Sequence, residues 1–168
     1  GRYFRDALVS CLLHLRPKRC LEIGCHIGQS SFLFQQYFDG YDITGHLVTC
    51  DLKPMCDTSQ WPNVTYTSVY PHVRNSSEHH YVTDDDLLDR WDDIAYSIER
   101  NIKLIQAHES EFDFAFVDGD HQYDSVIADL KIAVAVTKPP HYILLDDIDD
   151  SRHDVMTVYT EFVKPNFS

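Results

Sequence analysis

Basic side chains are scarce in this chain: 14 Lys and Arg stand against 27 Asp and Glu in 168 residues, for a formal net charge of −13. Such a balance repels phosphate backbones, which disfavours long nucleic acid as a partner and suits a small neutral or cationic substrate. Nowhere do eighteen apolar residues run together, and no basic-then-apolar leader is present. Neither a membrane span nor a secretory signal is therefore expected. Cys11, Cys20, Cys25, Cys50 and Cys56 form no C-x-x-C pair and no zinc-ligand spacing. An odd number of such thiols reads as reduced cysteines in a cytoplasmic protein. Three glycosylation triplets, beginning at Asn63, Asn75 and Asn166, pull the other way, although such triplets often arise by chance.

What is present fits a single domain over 1–168, because 43% hydrophobic residues at this length can fill one core. The apolar pattern alternates between two periods. Helical spacing is read over Asp6 to Leu15, over Gln29 to Phe38 (with Phe32, Leu33, Gln36 and Tyr37 on one face), over Asp124 to Val136 and over Ser151 to Val163. From Thr83, a capping residue followed by Asp84, Asp85 and Asp86, a stripe of Leu87, Trp91, Ile94, Ile98, Ile102 and Ile105 predicts a further long helix. Short apolar runs between these predict five strands: Lys18 to Gly24, His46 to Asp51, Val64 to Val69, Phe112 to Asp118 and Tyr142 to Asp146. Strand alternating with helix implies an α/β fold, a doubly wound parallel sheet with helices on both faces.

In such sheets ligands bind beyond the carboxyl ends of the strands. The first of these ends reads Glu22-Ile23-Gly24-Cys25-His26-Ile27-Gly28-Gln29-Ser30. Two glycines there let the backbone pass close to a ligand while the N–H groups of the next helix face it. A dinucleotide turn would more often read G-x-G-x-x-G, and glycines also occupy such turns for purely structural reasons. The ends of strands two, four and five are acidic: Asp51, then Asp118-Gly119-Asp120-His121, then Asp146-Asp147. A carboxylate at Asp51 offers two oxygens and no donor, which suits the paired hydroxyls of a ribose.

From about Arg19 to Asp147 these residues resemble the class I S-adenosylmethionine-dependent methyltransferases, and among them the metal-using small-molecule O-methyltransferases of the sugar and antibiotic branch. The resemblance implies a Rossmann-like sheet in the order 3-2-1-4-5. It places Glu22, Gly24, Gly28 and Ser30 around the methionine part of the cofactor, with Cys25, His26 and Asp118 as further contacts, and Asp51 on the ribose. The F-V-D-G-D-H and L-L-D-D segments look like the metal-bearing strand ends of that branch. The chain also departs from the family pattern. Residues 70–82 form a long polar segment that reads either as a substrate lid or as a surface insertion, and the antiparallel strand pair usual after the last helix has no counterpart. Its absence predicts an exposed sheet edge, either covered by a partner chain, as in a homo-oligomer, or lowering solubility.

Physical chemistry supports a cation independently of the resemblance. Neighbouring strand ends lie about 4.8 Å apart, so Asp118, Asp146 and Asp147 would crowd three negative charges together. A hard ion such as Mg²⁺ relieves that repulsion, although acid-rich turns also occur without metal. Methyl transfer to a hydroxyl needs a proton acceptor, and His121 is the candidate base. The following helix's positive end would favour its neutral form; a hydrogen-bonding or metal-supporting role for the same side chain stays open. His26, His79, His80 and His141 have weaker claims. A non-catalytic S-adenosylmethionine-binding domain and a nicotinamide-dependent oxidoreductase are the competing functions.

Overall fold

Successive side chains of β1 (Arg19–Ile23), buried from Cys20 onward, fall alternately on two faces of the sheet. Cys20 belongs to one core cluster and Leu21 and Ile23 to the other, because successive strand side chains point to opposite faces. The same alternation holds in β2 (His46–Asp51) and β4 (Phe114–Val117), where Leu47, Phe114 and Phe116 take one face and Val48, Cys50, Ala115 and Val117 the other. Strands covered on both faces read as continuous apolar runs, which is why the sequence shows them so clearly.

The computed structural model describes residues 2–70, 72, 93–148 and 154–166. Its five strands, completed by β3 (Val64–Ser68) and β5 (Ile143–Leu145), lie parallel in the order β3-β2-β1-β4-β5. This is the predicted doubly wound, Rossmann-like sheet. Among the described residues no further strand pairs with β5, so the sheet ends there on one side and at β3 on the other.

One face is covered by α1 (Arg2–Leu15) and α2 (Gln29–Gly40). The helix α1 begins four residues before the sequence reading, because Phe4, Leu8 and Leu12 repeat at four-residue spacing and pack on the sheet; the Phe4 and Phe116 rings stack at 6.2 Å. In α2 the predicted face needs correction. Phe34, Tyr37 and Phe38 are buried, whereas Phe32 is 44% exposed and Gln36 is exposed. Phe34 and Phe38, four residues apart, form the stripe that meets Phe114 and Leu47, and Phe32 leans on Trp61 instead, 6.0 Å between rings. Truncating Phe34 or Phe38 would cost about 3 to 5 kcal/mol.

The opposite face is covered by α3 (Ile94–Gln106) and α4 (Tyr123–Val136). Asp93 caps α3 by accepting the Tyr96 N–H, at 3.0 Å, and Ile98, Ile102 and Ile105 of the predicted stripe pack on the sheet. Thr83, Leu87 and Trp91 lie outside the described residues, as do most of 70–82. The last helix, α5 (Val155–Val158), widens into a π turn over Tyr159–Val163 before Lys164–Asn166. Val155 and Val158 seat it against Val126 and Leu130 of α4.

Candidate functional site

The bend after β1 is possible only because residue 24 has no side chain. Gly24 has φ +98°, and a Cβ there would lie 1.8 Å from the Asp118 carbonyl oxygen. Its N–H and that of Cys25 donate to the Cys50 carbonyl at 2.9 and 3.2 Å, so the bend is held against the ends of both neighbouring strands. Gly28, φ +80°, then starts α2 without a side-chain cap, under the Cys56 and Trp61 side chains.

Beyond these strand ends opens a cavity of about 490 Å³. Of the residues singled out in the sequence, Gly24, His26, Asp51, Asp118 and His121 line it. Asp51 is already oriented: its Oδ2 accepts the His26 N–H at 2.7 Å and its Oδ1 the Leu52 N–H at 2.7 Å. A carboxylate has about four acceptor positions, so two stay open for ligand hydroxyls.

Glu22, Cys25, Gly28 and Ser30 are not in the cavity wall but behind the bend. Glu22 is 0% exposed and takes hydrogen bonds from the Ser31 hydroxyl and from Thr49 Oγ1, the latter at 2.5 Å. Strand alternation puts it there, on the α2 face beside its register partner Thr49. Burial pushes its carboxyl up to about 7, against the opposing hydrogen bonds of Ser30, Ser31 and Thr49. This acid thus holds the bend from behind.

At the ends of the neighbouring strands β4 and β5 acids converge, with His121 rather than Asp146 as the third member. Ligand atoms of Asp118, His121 and Asp147 all lie within 4.8 Å of one another; His121 Nε2 is 2.9 Å from Asp147 Oδ2 and 3.8 Å from Asp118 Oδ1. Asp147 turns inward through a left-handed backbone, φ +55°. Asp146 sits beside this group but outside it, its N–H tied to the Val117 carbonyl at 3.0 Å. Burial raises the Asp146 carboxyl, and Asp118 and Asp147 add to that. The Asp118 and Asp147 carboxylate oxygens, with the His121 imidazole beside them, are spaced to suit one divalent cation held by the two acids.

Hydrogen bonding to Asp118 raises the His121 imidazole, with Asp147 and Asp120 adding to it and partial burial opposing. The positive end of the following helix, taken alone, would favour the neutral ring instead. Three nearby carboxylates outweigh that dipole, and a cation among them would restore the neutral ring.

The sequence reading missed the cavity floor. His72 bonds Ser97 Oγ through Nδ1 at 2.7 Å and Asp129 Oδ1 through Nε2 at 3.1 Å, all three side chains buried. Asp129 was detectable as the lone acid inside the apolar run of α4. Gly119 makes room for it, since a Cβ there would lie 2.6 Å from Asp129 Oδ2. Asn101 fixes the exit of β3 by bonding both the N–H and the carbonyl of Tyr70, at 2.9 and 3.0 Å.

A family profile described as a methyltransferase domain matches residues 21–148, from β1 through the paired acids after β5. The chain belongs to the methyltransferase domain family. An uncharacterised protein of Acanthamoeba polyphaga mimivirus is 27% identical over 133 residues, 79% of this chain and 52% of its own length. A Staphylococcus aureus protein assigned as a caffeoyl-CoA O-methyltransferase superposes with a TM-score of 0.56 at 14% identity, over 98% of this chain and 62% of that one. That likeness shows a shared fold. The MycE methyltransferase of the mycinamycin pathway, solved with Mg and SAH, gives a TM-score of 0.48 at 18% identity, over 94% of this chain and 32% of that one. This methyltransferase domain therefore spans about half the length of the curated relative it matches. None of its described helices is long and apolar enough to cross a membrane.

Proposed function

We propose that this domain transfers the methyl group of S-adenosylmethionine to a hydroxyl of a small molecule, assisted by a divalent cation such as Mg²⁺. One observation carries the reading: the Asp118, His121 and Asp147 cluster stands on the rim of the same cavity that Gly24 and Asp51 line. Cofactor and metal groups would thus act on adjacent atoms.

In this reading Asp51 accepts the ribose hydroxyls and the bend at Gly24 admits the methionine part close to the backbone. Glu22, Cys25, Gly28 and Ser30 shape that bend from behind, and His26 and Asp118 border the reacting end. Asp118 and Asp147 would hold the cation, with Asp146 next to them; when bound it lowers the cost of developing negative charge on the substrate oxygen. His121 Nε2 takes the hydroxyl proton as the oxygen attacks the methyl carbon and the sulfonium leaves as a thioether. An aliphatic hydroxyl is too weak an acid to ionise unaided, which is why base and cation are both needed.

Calorimetry with S-adenosylmethionine, repeated with Mg²⁺ and with EDTA, followed by a panel of hydroxyl compounds, tests the proposal. Cofactor binding with Mg²⁺-dependent product mass supports it. Binding without turnover favours the non-catalytic reading, and binding of a nicotinamide cofactor instead overturns it.

A further inference from the structure

Two sulfur atoms nearly touch behind the glycine bend: Cys25 Sγ lies 3.4 Å from Cys56 Sγ, although the residues are 31 positions apart. Cys25 belongs to the bend after β1. Cys56 belongs to the segment after β2, whose Leu52, Lys53 and Met55 form one wall of the cavity. Both cysteines are free thiols.

Their surroundings hold them in place. A Cβ on Gly28 would come within 2.8 Å of Cys56 Sγ and 2.9 Å of the Trp61 ring, so the segment sits directly on the start of α2. Phe32 and Trp61 pack ring against ring above it. On the other side Ser31 Oγ meets Cys25 Sγ at 3.5 Å. Exposure divides the two roles. Cys25 is 2% exposed, whereas Cys56 is partly open to solvent.

We propose that Cys25 and Cys56 are an oxidative modification site, closing to an intramolecular disulfide when the protein meets a low-molecular-weight disulfide such as oxidised glutathione. Cys56, as thiolate, attacks one oxidant sulfur and releases one molecule of reduced thiol. Cys25 then gives up its proton and attacks the Cys56 sulfur, and the second thiol leaves. The protein loses two hydrogens and two electrons, and the oxidant takes up both. The sulfurs must close from 3.4 Å to about 2.05 Å, a smaller shift than the width of one atom. Burial, with the hydrogen bond to Cys25 adding, holds the Cys56 thiol above its ordinary range, so the first step is slow at neutral pH and quickens in alkali. The bond would fasten the cavity wall after β2 to the bend after β1. This rests on the sulfur geometry alone and holds whichever ligand the cavity takes.

The test is incubation of the full chain with oxidised glutathione in mildly alkaline buffer, alkylation of remaining thiols in denaturant, and mass mapping of peptides. The expected result is a Cys25–Cys56 linked peptide, lighter by two hydrogens than its reduced halves and split by dithiothreitol. Amide hydrogen exchange over residues 52–61 should slow at least several-fold in the oxidised form. Cys25→Ser should leave glutathione standing on Cys56, and Cys56→Ser should leave Cys25 alkylatable. Should either variant fail to fold, the wild-type map decides alone. Cys25 and Cys56 still reduced at equilibrium, Cys56 bonded to another cysteine, or glutathione retained on wild-type Cys56 would each overturn the proposal.

Discussion

The backbone N–H of His26 donates to Asp51 Oδ2 across 2.7 Å, so one carboxylate at the end of β2 holds the bend that follows β1. That carboxylate serves two partners in the proposed complex, the bend and the ribose. Asp51→Ala should therefore weaken S-adenosylmethionine binding by about 1 to 3 kcal/mol, a roughly 5- to 150-fold rise in Kd. Mg²⁺ binding, measured separately by calorimetry, should stay within error of wild type. Asp51→Asn keeps an acceptor for His26 and should lose less.

The proposed cation site predicts an order among neighbours. Asp147→Asn and Asp118→Asn each remove an oxygen from the group of converging ligand atoms, and should abolish Mg²⁺-dependent turnover while the protein stays folded. Asp146→Asn, one residue away but outside that group, should lose less Mg²⁺ affinity than Asp147→Asn. Equal losses would mean that the cation sits differently. His121→Ala should lower kcat by about 10²- to 10⁴-fold as a base, and by far less if it only orients its neighbours.

Glycine substitutions separate the bend from ordinary helix. Gly24→Ala places a methyl group 1.8 Å from the Asp118 carbonyl oxygen on a backbone with φ +98°, so the two strand ends must part. A loss of about 3 kcal/mol or more is expected in urea unfolding. Gly40→Ala meets nothing within 4 Å on a backbone that alanine also adopts, and it narrows the freedom of the unfolded chain by up to about 1 kcal/mol. It should be neutral or stabilising.

These sites differ in how far the sequence reveals them. Three strand ends were legible because their apolar runs stop in an acid, β2 at Asp51, β4 at Asp118 and β5 at Asp146, and the first because its run stops at Gly24. Which face of α2 is buried was not: Phe32, Phe34, Tyr37 and Phe38 admit two overlapping stripes, and the choice is made by what Phe114 and Leu47 present from the sheet. The place of Asp147 over Asp146 depends on one left-handed residue after β5, which no spacing rule anticipates. The His72–Asp129 and Cys25–Cys56 contacts bridge 57 and 31 residues. Only the tertiary fold brings such pairs together.

Glu22 gives the protein a pH-dependent cost that can be isolated by one substitution. Its carboxyl rises from 4.5 in the reference state to about 7 in the fold, chiefly because burial disfavours the anion. Below pH 4.5 both folded and unfolded chains hold this proton, and the residue contributes no pH dependence. Between pH 4.5 and about 7 the unfolded chain releases the proton while the folded chain keeps it, so stability falls as pH rises. Above pH 7 the accumulated cost levels off near about 3 kcal/mol. Glu22→Gln cannot ionise, and its amide oxygen can still accept from Ser31 and Thr49. Its unfolding free energy should therefore fall less than that of wild type between pH 5 and pH 8, with the two proteins closest at the acid end and the variant ahead at the alkaline end. Parallel curves across that range would show that Glu22 ionises inside the fold as readily as outside it, and that the hydroxyls around it, not burial, set its charge.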